Sequence, residues 1–171
     1  MSEFNYEKLF QYGKDKTNYR QLDIGPIKKT KINGKNILHI SSDIIENLSK
    51  IAFYEISHFL RENHLKQIAK IFEDPDASEN DKYVALTLLK NANTAAGGVL
   101  PMCQDTGTAI VLGKKGSGIW TNFDDEEIIS KGIWSSYKEN NLRYSQLAPI
   151  SMFEEVNTKT NLPAQIDIMS T

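Results

Sequence analysis

The strongest constraint on the fold is that apolar residues recur every three or four positions in separate segments of the chain. This spacing places such residues on one side of an α-helix. The first helix is predicted to begin at Ser41, Ser42 and Asp43, whose side-chain oxygens can accept from the free N–H groups of a first turn, and Glu46 stands three residues after Asp43 as in a capping box. Its predicted buried face consists of Ile45, Leu48, Ala52, Ile56 and Phe59.

Three further helices are predicted from the same kind of pattern. A short helix over residues 65–72 is ended by the acidic, proline-containing segment 73–75. A longer helix begins with Ser78 and Asp81 as a second capping pair and ends at Gly97-Gly98, because glycine adopts the left-handed cap conformation easily. Its predicted apolar face consists of Val84, Ala85, Leu88, Leu89 and Ala92. The last helix begins at residues 124–125, ends at residues 140–141 and carries Ile129, Ile133 and Tyr137 on one face.

Short strands are predicted between and after these helices. Asn33-Gly34 is typical of a two-residue hairpin turn, so residues 27–40 are predicted to form a hairpin. Residues 108–112 are predicted to form a strand, 113–118 a turn and 119–121 the returning strand. Residues 142–165 are predicted to be mostly loop, and residues 166–169 a strand that enters a sheet. The pattern predicts an α+β fold: a helix-rich single domain with short hairpins and a small sheet.

The composition excludes several classes of protein. The 171 residues are 40% hydrophobic and 25% charged, as in an ordinary globular domain, and the net charge of −2 has no clustered basic patch for nucleic acid. No apolar run approaches the length of a membrane span, and the N-terminus lacks the apolar centre of a signal peptide. The single cysteine, Cys103, excludes an internal disulfide. We therefore expect a cytoplasmic protein with no nucleic-acid or membrane partner.

The chemistry-bearing residues concentrate in the segment 97–107. Two glycines and a proline precede Cys103, Gln104 and Asp105, and glycine allows close approach of the backbone to a ligand. A cysteine thiolate is both a soft metal ligand and a nucleophile. The same residues are also compatible with a small buried cysteine, an aspartate that closes a turn, and an amide on the surface. The loop therefore points to a site without identifying its reaction.

Other candidate residues carry weaker signals. His39, His58 and His64 do not share a helical face at metal-binding spacing, so surface or hydrogen-bonded core positions are expected for them. The segment 113–118, GKKGSG, has the glycines and lysine of a phosphate loop but not their order, and a hairpin turn is the expected structure. Trp120 and Trp134 are expected to pack in the core or at an interface.

The string GGVLPMCQDTGTAIVLGKKG resembles the signature of class I fumarases, the iron–sulfur hydro-lyases that interconvert malate and fumarate. The flanking strings NDKYVALTLLKNANTAAGG and NLRYSQLAPISMFEEVNTKTNLPAQIDI are similar to the corresponding family segments, as is ISHFLRENHLKQIAKIFEDPDASEND. The resemblance covers nearly everything after about residue 40. It implies the fold of the family's N-terminal domain over residues 27–171, preceded by an arm over residues 1–26.

By matching position, the resemblance gives roles to four residues. Cys103 matches the first of three cysteines that hold a [4Fe–4S] cluster, whose remaining iron is left open for substrate. Gln104 matches a residue that hydrogen-bonds the substrate, and Asp105 matches the general acid, which also contacts substrate. Arg143 matches an arginine that binds a substrate carboxylate, a task that suits the planar guanidinium. Without the resemblance, Arg143 would be an ordinary surface or ion-pair residue.

The chain departs from the family pattern in having no second cysteine. We therefore expect it to be the N-terminal portion of a longer enzyme, or a subunit completed by another chain, inactive alone and without a cluster. The expected substrate of the complete protein is a small dicarboxylate, fumarate or malate, and the expected assembly is a homodimer. Two alternatives stay open: a tartrate dehydratase-type hydro-lyase, and a non-catalytic scaffold or dimerisation module.

Overall fold

The computed structural model describes residue 4, residues 19–102 and residues 107–171. The described helices are α1 (Ser42–His58), α2 (Glu62–Ala69), α3 (Glu79–Ala95) and α4 (Asp125–Glu139), with a short 3-10 helix over Lys70–Glu73. The described strands are β1 (Lys28–Ile32), β2 (Lys35–His39), β3 (Ile110–Lys115), β4 (Ile119–Trp120), β5 (Leu147–Pro149), β6 (Glu155–Asn157) and β7 (Gln165–Ser170). The predicted α+β class is confirmed. The division into an arm over residues 1–26 and a domain over residues 27–171 stays a prediction.

The first hairpin forms as predicted. β1 and β2 pair antiparallel from Lys28 opposite His39 to Ile32 opposite Lys35. The turn between them places Asn33 at φ 48° and Gly34 at φ 80°, the positive values that a tight two-residue turn requires.

The second predicted hairpin, over residues 108–121, is wrong. β3 extends through Gly113 to Lys115 and pairs in parallel with β7, with Val111 opposite Ile166 and Gly113 opposite Ile168. β4 instead pairs in parallel with β2. Parallel partners lie far apart in sequence, so the local pattern of residues 108–121 contains no information about them. The predicted loop over residues 142–165 contains the short β5–β6 hairpin.

The helix starts follow the capping signals in two of three cases. The Ser78–Asp81 capping box of α3 is confirmed, and Asp124 caps α4 by accepting hydrogen bonds from the N–H groups of residues 126 and 127. The Asp43–Glu46 capping pair of α1 is wrong, since the N-cap is Ser41, and its side chain makes no capping hydrogen bond within the described residues. The Glu46 carboxylate lies instead 2.7 Å from the ammonium group of Lys131 on α4.

The core forms where α1 crosses α4. The backbones approach so closely at Gly132 that an added Cβ would lie 2.4 Å from the Glu46 carbonyl oxygen and 2.7 Å from Ser49 Cβ. The buried cluster beside this contact consists of Phe53, Ala109, Ile129, Ile133, Tyr137 and Leu142. The predicted face of α4 is thereby confirmed. Burial raises the pKa of the Tyr137 hydroxyl above its ordinary value of 10.0.

The apolar faces predicted for α1 and α3 are buried only in part. Leu48 and Ile56 of α1 are 40% and 59% exposed, and the buried residues of that helix are Ile44, Phe53, Ser57 and His58. Ile45 of the predicted face packs against the buried cluster, and the close contact at Gly132 brings the side of α1 that carries Ser49 toward α4. In α3, the predicted Ala85 and Ala92 are buried together with Ala95, whereas the predicted Val84 and Leu88 are half-exposed.

No helix within the described ranges has the length and apolar character needed to cross a membrane.

Candidate functional site

Cys103, Gln104 and Asp105 lie outside the described residues, so their predicted roles stay predictions. The structure describes both flanks of this segment, from α3 to Met102 and from Gly107 to β3. α3 ends at Ala95 and β3 begins at Ile110, close to the helix end and strand start predicted on either side of Cys103. The geometry of the site is therefore built from the residues that hold these two flanks.

The last turn of α1 holds the flank that enters the cysteine segment. The N–H of Met102 donates a hydrogen bond to the carbonyl of Ser57 at 2.9 Å, and Met102 is only 6% exposed. Carbonyls in the last turn of a helix have no partner within the helix. One of these free acceptors thus fixes the residue that directly precedes Cys103.

Tyr54, one turn earlier on α1, contacts the same flank. Its hydroxyl donates to the carbonyl of Gly98 at 3.4 Å, and Gly98 has a φ of +74°, a conformation that favours glycine. The ring of Tyr54 also packs against that of His58, with 4.3 Å between ring centroids. Tyr54 and Ser57 therefore hold opposite ends of the stretch 98–102.

His58 is fully buried in this turn. Its Nδ1 lies 2.7 Å from the carbonyl oxygen of Tyr54, which can only accept, so Nδ1 carries the hydrogen. Its Nε2 is buried and has no hydrogen-bond partner among the described residues. His58 is therefore a hydrogen-bonded core histidine, as expected, although its Nε2 has no partner among the described residues.

The other two histidines agree with the expectation. His39 bonds Thr30 Oγ1 at 2.7 Å, and His64 is exposed on α2. Across the described ranges, no three His, Cys, Asp or Glu side chains converge in a way that could hold a metal ion.

Asn161 holds the flank that leaves the cysteine segment. Its Nδ2 donates to the carbonyl of Gly107 at 3.2 Å. Its Oδ1 accepts from the backbone N–H groups of Ser145 and Gln146, at 2.9 and 3.0 Å. Asn161 is fully buried and has a φ of +57°. A single side-chain amide therefore connects the end of the cysteine segment to the chain that follows Arg143.

Arg143 itself is exposed, but the backbone around it is held in place. Leu142 before it belongs to the buried core, and the ring of Tyr144 after it stacks on Tyr137 with 6.4 Å between centroids. The Tyr144 carbonyl accepts a 2.7 Å hydrogen bond from Asn157 Nδ2. An ordinary surface position in the sequence thus has a fixed backbone, which suits a residue that presents its charge to a ligand.

A cavity of about 450 Å³ lies elsewhere, between α1 and the β3–β7 pair. Its walls are mainly apolar, including Leu48, Phe53 and Ile168, and one wall carries the ion pair of Lys115 with Asp125 at 2.5 Å. Among the described residues, β3 contributes Val111 and Gly113 to its lining, whereas residues 98–102 and 142–146 do not line it.

Sequence reasoning missed the residues that hold these flanks: Tyr54, Ser57 and Asn161. The only signal for Asn161 was its residue type, since asparagine tolerates the left-handed conformation better than most residues. Tyr54 and Ser57 lie on α1, far in sequence from Gly98 and Met102. No local pattern could indicate those contacts.

Comparisons with known proteins agree with the motif. A profile of the family described as fumarate hydratase (Fumerase) matches residues 46–171. The chain is 52% identical over 165 residues to "Fumarate hydratase class I, anaerobic" of Escherichia coli (strain K12), across 96% of this chain and 30% of the relative. It is 51% identical over 144 residues to "Fumarate hydratase 2" of Leishmania major, across 84% of this chain and 25% of the relative. The chain thus spans about three tenths or less of the length of these curated relatives.

Proposed function

Since the chain belongs to the fumarate hydratase (Fumerase) family, we propose that it forms the N-terminal part of a class I type fumarate hydratase, which interconverts fumarate and L-malate. The relatives are named fumarate hydratases, and we propose the same activity for the whole protein to which this chain belongs. The structural observation that supports it most is the bridge made by Asn161, which joins the Gly107 carbonyl to the N–H groups of Ser145 and Gln146. The two segments that carry the proposed site residues are thereby connected.

In this proposal the chain supplies part of the active site. Asp105 is the general acid that protonates the hydroxyl group of malate as it leaves, and Gln104 hydrogen-bonds the substrate. Arg143 binds one substrate carboxylate through the parallel N–H groups of its guanidinium. Its exposed side chain on a held backbone suits this task, because the position is fixed before the ligand arrives.

The family resemblance also implies a [4Fe–4S] cluster with one open iron, which would supply Lewis-acid chemistry when bound. The donors present do not complete such a site. The sequence has one cysteine, Cys103, whereas three irons need thiolates, and the described residues bring together no other group of suitable donors. We propose that Cys103 is one ligand, that the remaining thiolates come from outside these 171 residues, and that the chain alone is inactive.

The first experiment compares the 171-residue chain with the complete protein that contains it. Iron and sulfide content is measured after anaerobic reconstitution of each, and fumarate consumption is followed by ultraviolet absorbance. We expect cluster and hydration in the complete protein and neither in the 171-residue chain. Stoichiometric cluster together with hydration by the chain alone would contradict the proposed dependence on outside ligands. A complete protein that holds a cluster but turns over only another hydroxy acid would contradict the assigned substrate.

The second experiment tests Asp105 in the complete protein. A general acid typically contributes about 10²–10⁴-fold to the rate, so Asp105→Asn should lower kcat by about that factor and leave the cluster spectrum unchanged. Asp76→Asn, the same change at an exposed position before α3, is the matched control and should keep full activity. Near-normal turnover of the Asp105→Asn enzyme would refute the proposed role.

A further inference from the structure

We propose that Asn161 is a positioning residue, which holds the cysteine segment and the Arg143 segment at a fixed separation. The inference rests on the proposed function, because that function gives the two segments a shared substrate. Asn161 need not touch the substrate itself. It would act by holding the backbone at Gly107 on one side and at Ser145 and Gln146 on the other.

The hydrogen bonds of Asn161 reach both segments from one rigid amide plane. Gly107, whose carbonyl accepts from Nδ2 at 3.2 Å, is the first described residue after Asp105 and its neighbour Thr106. Ser145, whose N–H donates to Oδ1 at 2.9 Å, lies shortly after Arg143 in the chain. If one segment moved relative to the other, Asn161 could not keep its hydrogen bonds to Gly107 and to Ser145 at the same time.

Burial makes this bridge effective. Asn161 has no exposed surface, so water cannot replace a lost partner, and an unpaired buried amide is costly. The opposite side of the Arg143 segment is held independently by Leu142 in the core and by the Asn157–Tyr144 hydrogen bond. The Arg143 segment is thus the fixed side of the bridge, and Gly107 is held relative to it.

An ordinary structural amide would give a different result from a positioning residue. If Asn161 only stabilises the domain, its loss should speed amide exchange and thiol alkylation by the same factor as global unfolding of the domain. If it positions the cysteine segment, its loss should change that segment while the core stays closed. Cys103 is the single thiol of the chain, so its alkylation reports on this segment without interference.

Two substitutions of Asn161 separate the sides of the bridge. Asn161→Asp keeps an acceptor for the N–H groups of Ser145 and Gln146, but replaces the donor to Gly107 with an oxygen. Asn161→Gly removes both sides and accommodates the φ of +57°. Asn140→Asp is the matched control, because the donors that Asn140 Nδ2 offers within the described residues go to the carbonyl and hydroxyl of Ser136 in α4.

The experiment uses the 171-residue chain and two readouts that need neither cluster nor fumarate. One is the rate of Cys103 alkylation by iodoacetamide, and the other is amide exchange of Ser145 and Gln146 by NMR, each compared with the buried Ile133 amide. Asn161→Asp should speed alkylation by about 3–10-fold, the range for losing one hydrogen bond, and leave both amides protected. Asn161→Gly should speed alkylation and amide exchange together, and Asn140→Asp should change neither.

The proposal is overturned if Asn161→Asp alkylates at the rate of the unsubstituted chain, or if both readouts change only in proportion to Ile133 exchange. It also falls if both substitutions prevent folding, because a structural role would then suffice, or if Ser145 and Gln146 exchange without protection in the unsubstituted chain. A complete protein that fails to hydrate fumarate while the expected alkylation pattern is observed would refute the proposed function alone.

Discussion

Replacing Gly132 by alanine tests the close crossing of α1 and α4 on which the core depends. In an isolated helix this change would stabilise by about 1 kcal/mol, because alanine has the higher helix propensity. Here the added Cβ would lie 2.4 Å from the Glu46 carbonyl oxygen, whereas ordinary contact begins at 3.4 Å. The helices would have to separate by about 1 Å, a gap that forfeits a quarter to a half of the dispersion energy of the affected contacts.

The net effect follows from these opposing contributions. Overpacking a core costs about 1–3 kcal/mol, and the upper end applies here because the obstructing atoms belong to the backbone and a Cβ, which cannot rotate away. After subtracting the propensity gain, Gly132→Ala should lower the free energy of unfolding by about 2 kcal/mol. For a chain of this size that corresponds to a Tm about 4–8 °C lower. Urea and thermal denaturation followed by circular dichroism measure both quantities.

The control is Gly116→Ala, at a glycine whose nearest atom to an added Cβ is Ile119 Cγ1 at 3.9 Å. That substitution should be neutral or stabilise by up to about 1 kcal/mol through the unfolded chain. A Gly132→Ala protein that is as stable as the unsubstituted chain, or more stable, would refute the described crossing of α1 and α4.

Three further predictions concern the flanks of the site and one helix start. Gly98→Ala should destabilise the chain, because the added Cβ would lie 2.5 Å from the Tyr54 hydroxyl oxygen. Tyr54→Phe removes that oxygen and leaves the nearest ring atom at 3.8 Å, so a double-mutant cycle in urea should show that it restores about 1–2 kcal/mol of stability. Purely additive effects of the two substitutions would disprove the contact. Hydrogen bonds from the Ser78 side chain and backbone hold the pKa of Asp81 below its ordinary value of 3.8. The contribution of the ionised Asp81 to folding stability is therefore complete above pH 3.8 and is lost as the pH falls through the lower pKa of the folded state. Ser78→Ala should raise the Asp81 pKa in an NMR titration, and an unchanged titration would contradict the capping box. In the complete protein, Arg143→Ala should weaken substrate capture by roughly 2–5 kcal/mol, measured from kcat/KM, and unchanged kinetics would show that Arg143 does not bind substrate.

The site depends on contacts between segments that are remote in sequence. α1 contributes the Ser57 carbonyl and the Tyr54 hydroxyl to one flank of the cysteine segment, and the chain before β7 contributes Asn161 to the other. A substitution in α1 can therefore affect the cysteine segment without lying next to it in the sequence.

The sequence alone determined the features that depend on neighbouring residues. The Asn33-Gly34 turn, the Ser78–Asp81 capping box and the Asp124 cap all formed as predicted, because each depends on backbone conformation or hydrogen bonds within a few residues. The motif around Cys103 was likewise sufficient to identify the family, because that string is local and specific.

Tertiary structure decided what depends on distant partners. The parallel pairing of β3 with β7 replaced the predicted hairpin. The tight contact at Gly132 brought Ser49 of α1 against α4, which the apolar spacing of α1 did not indicate. The bridge made by Asn161 joins segments that no local pattern connects. A helix or strand can bury any side that finds a complementary surface, so the surface supplied by the rest of the chain, rather than the pattern of the element itself, makes the final choice.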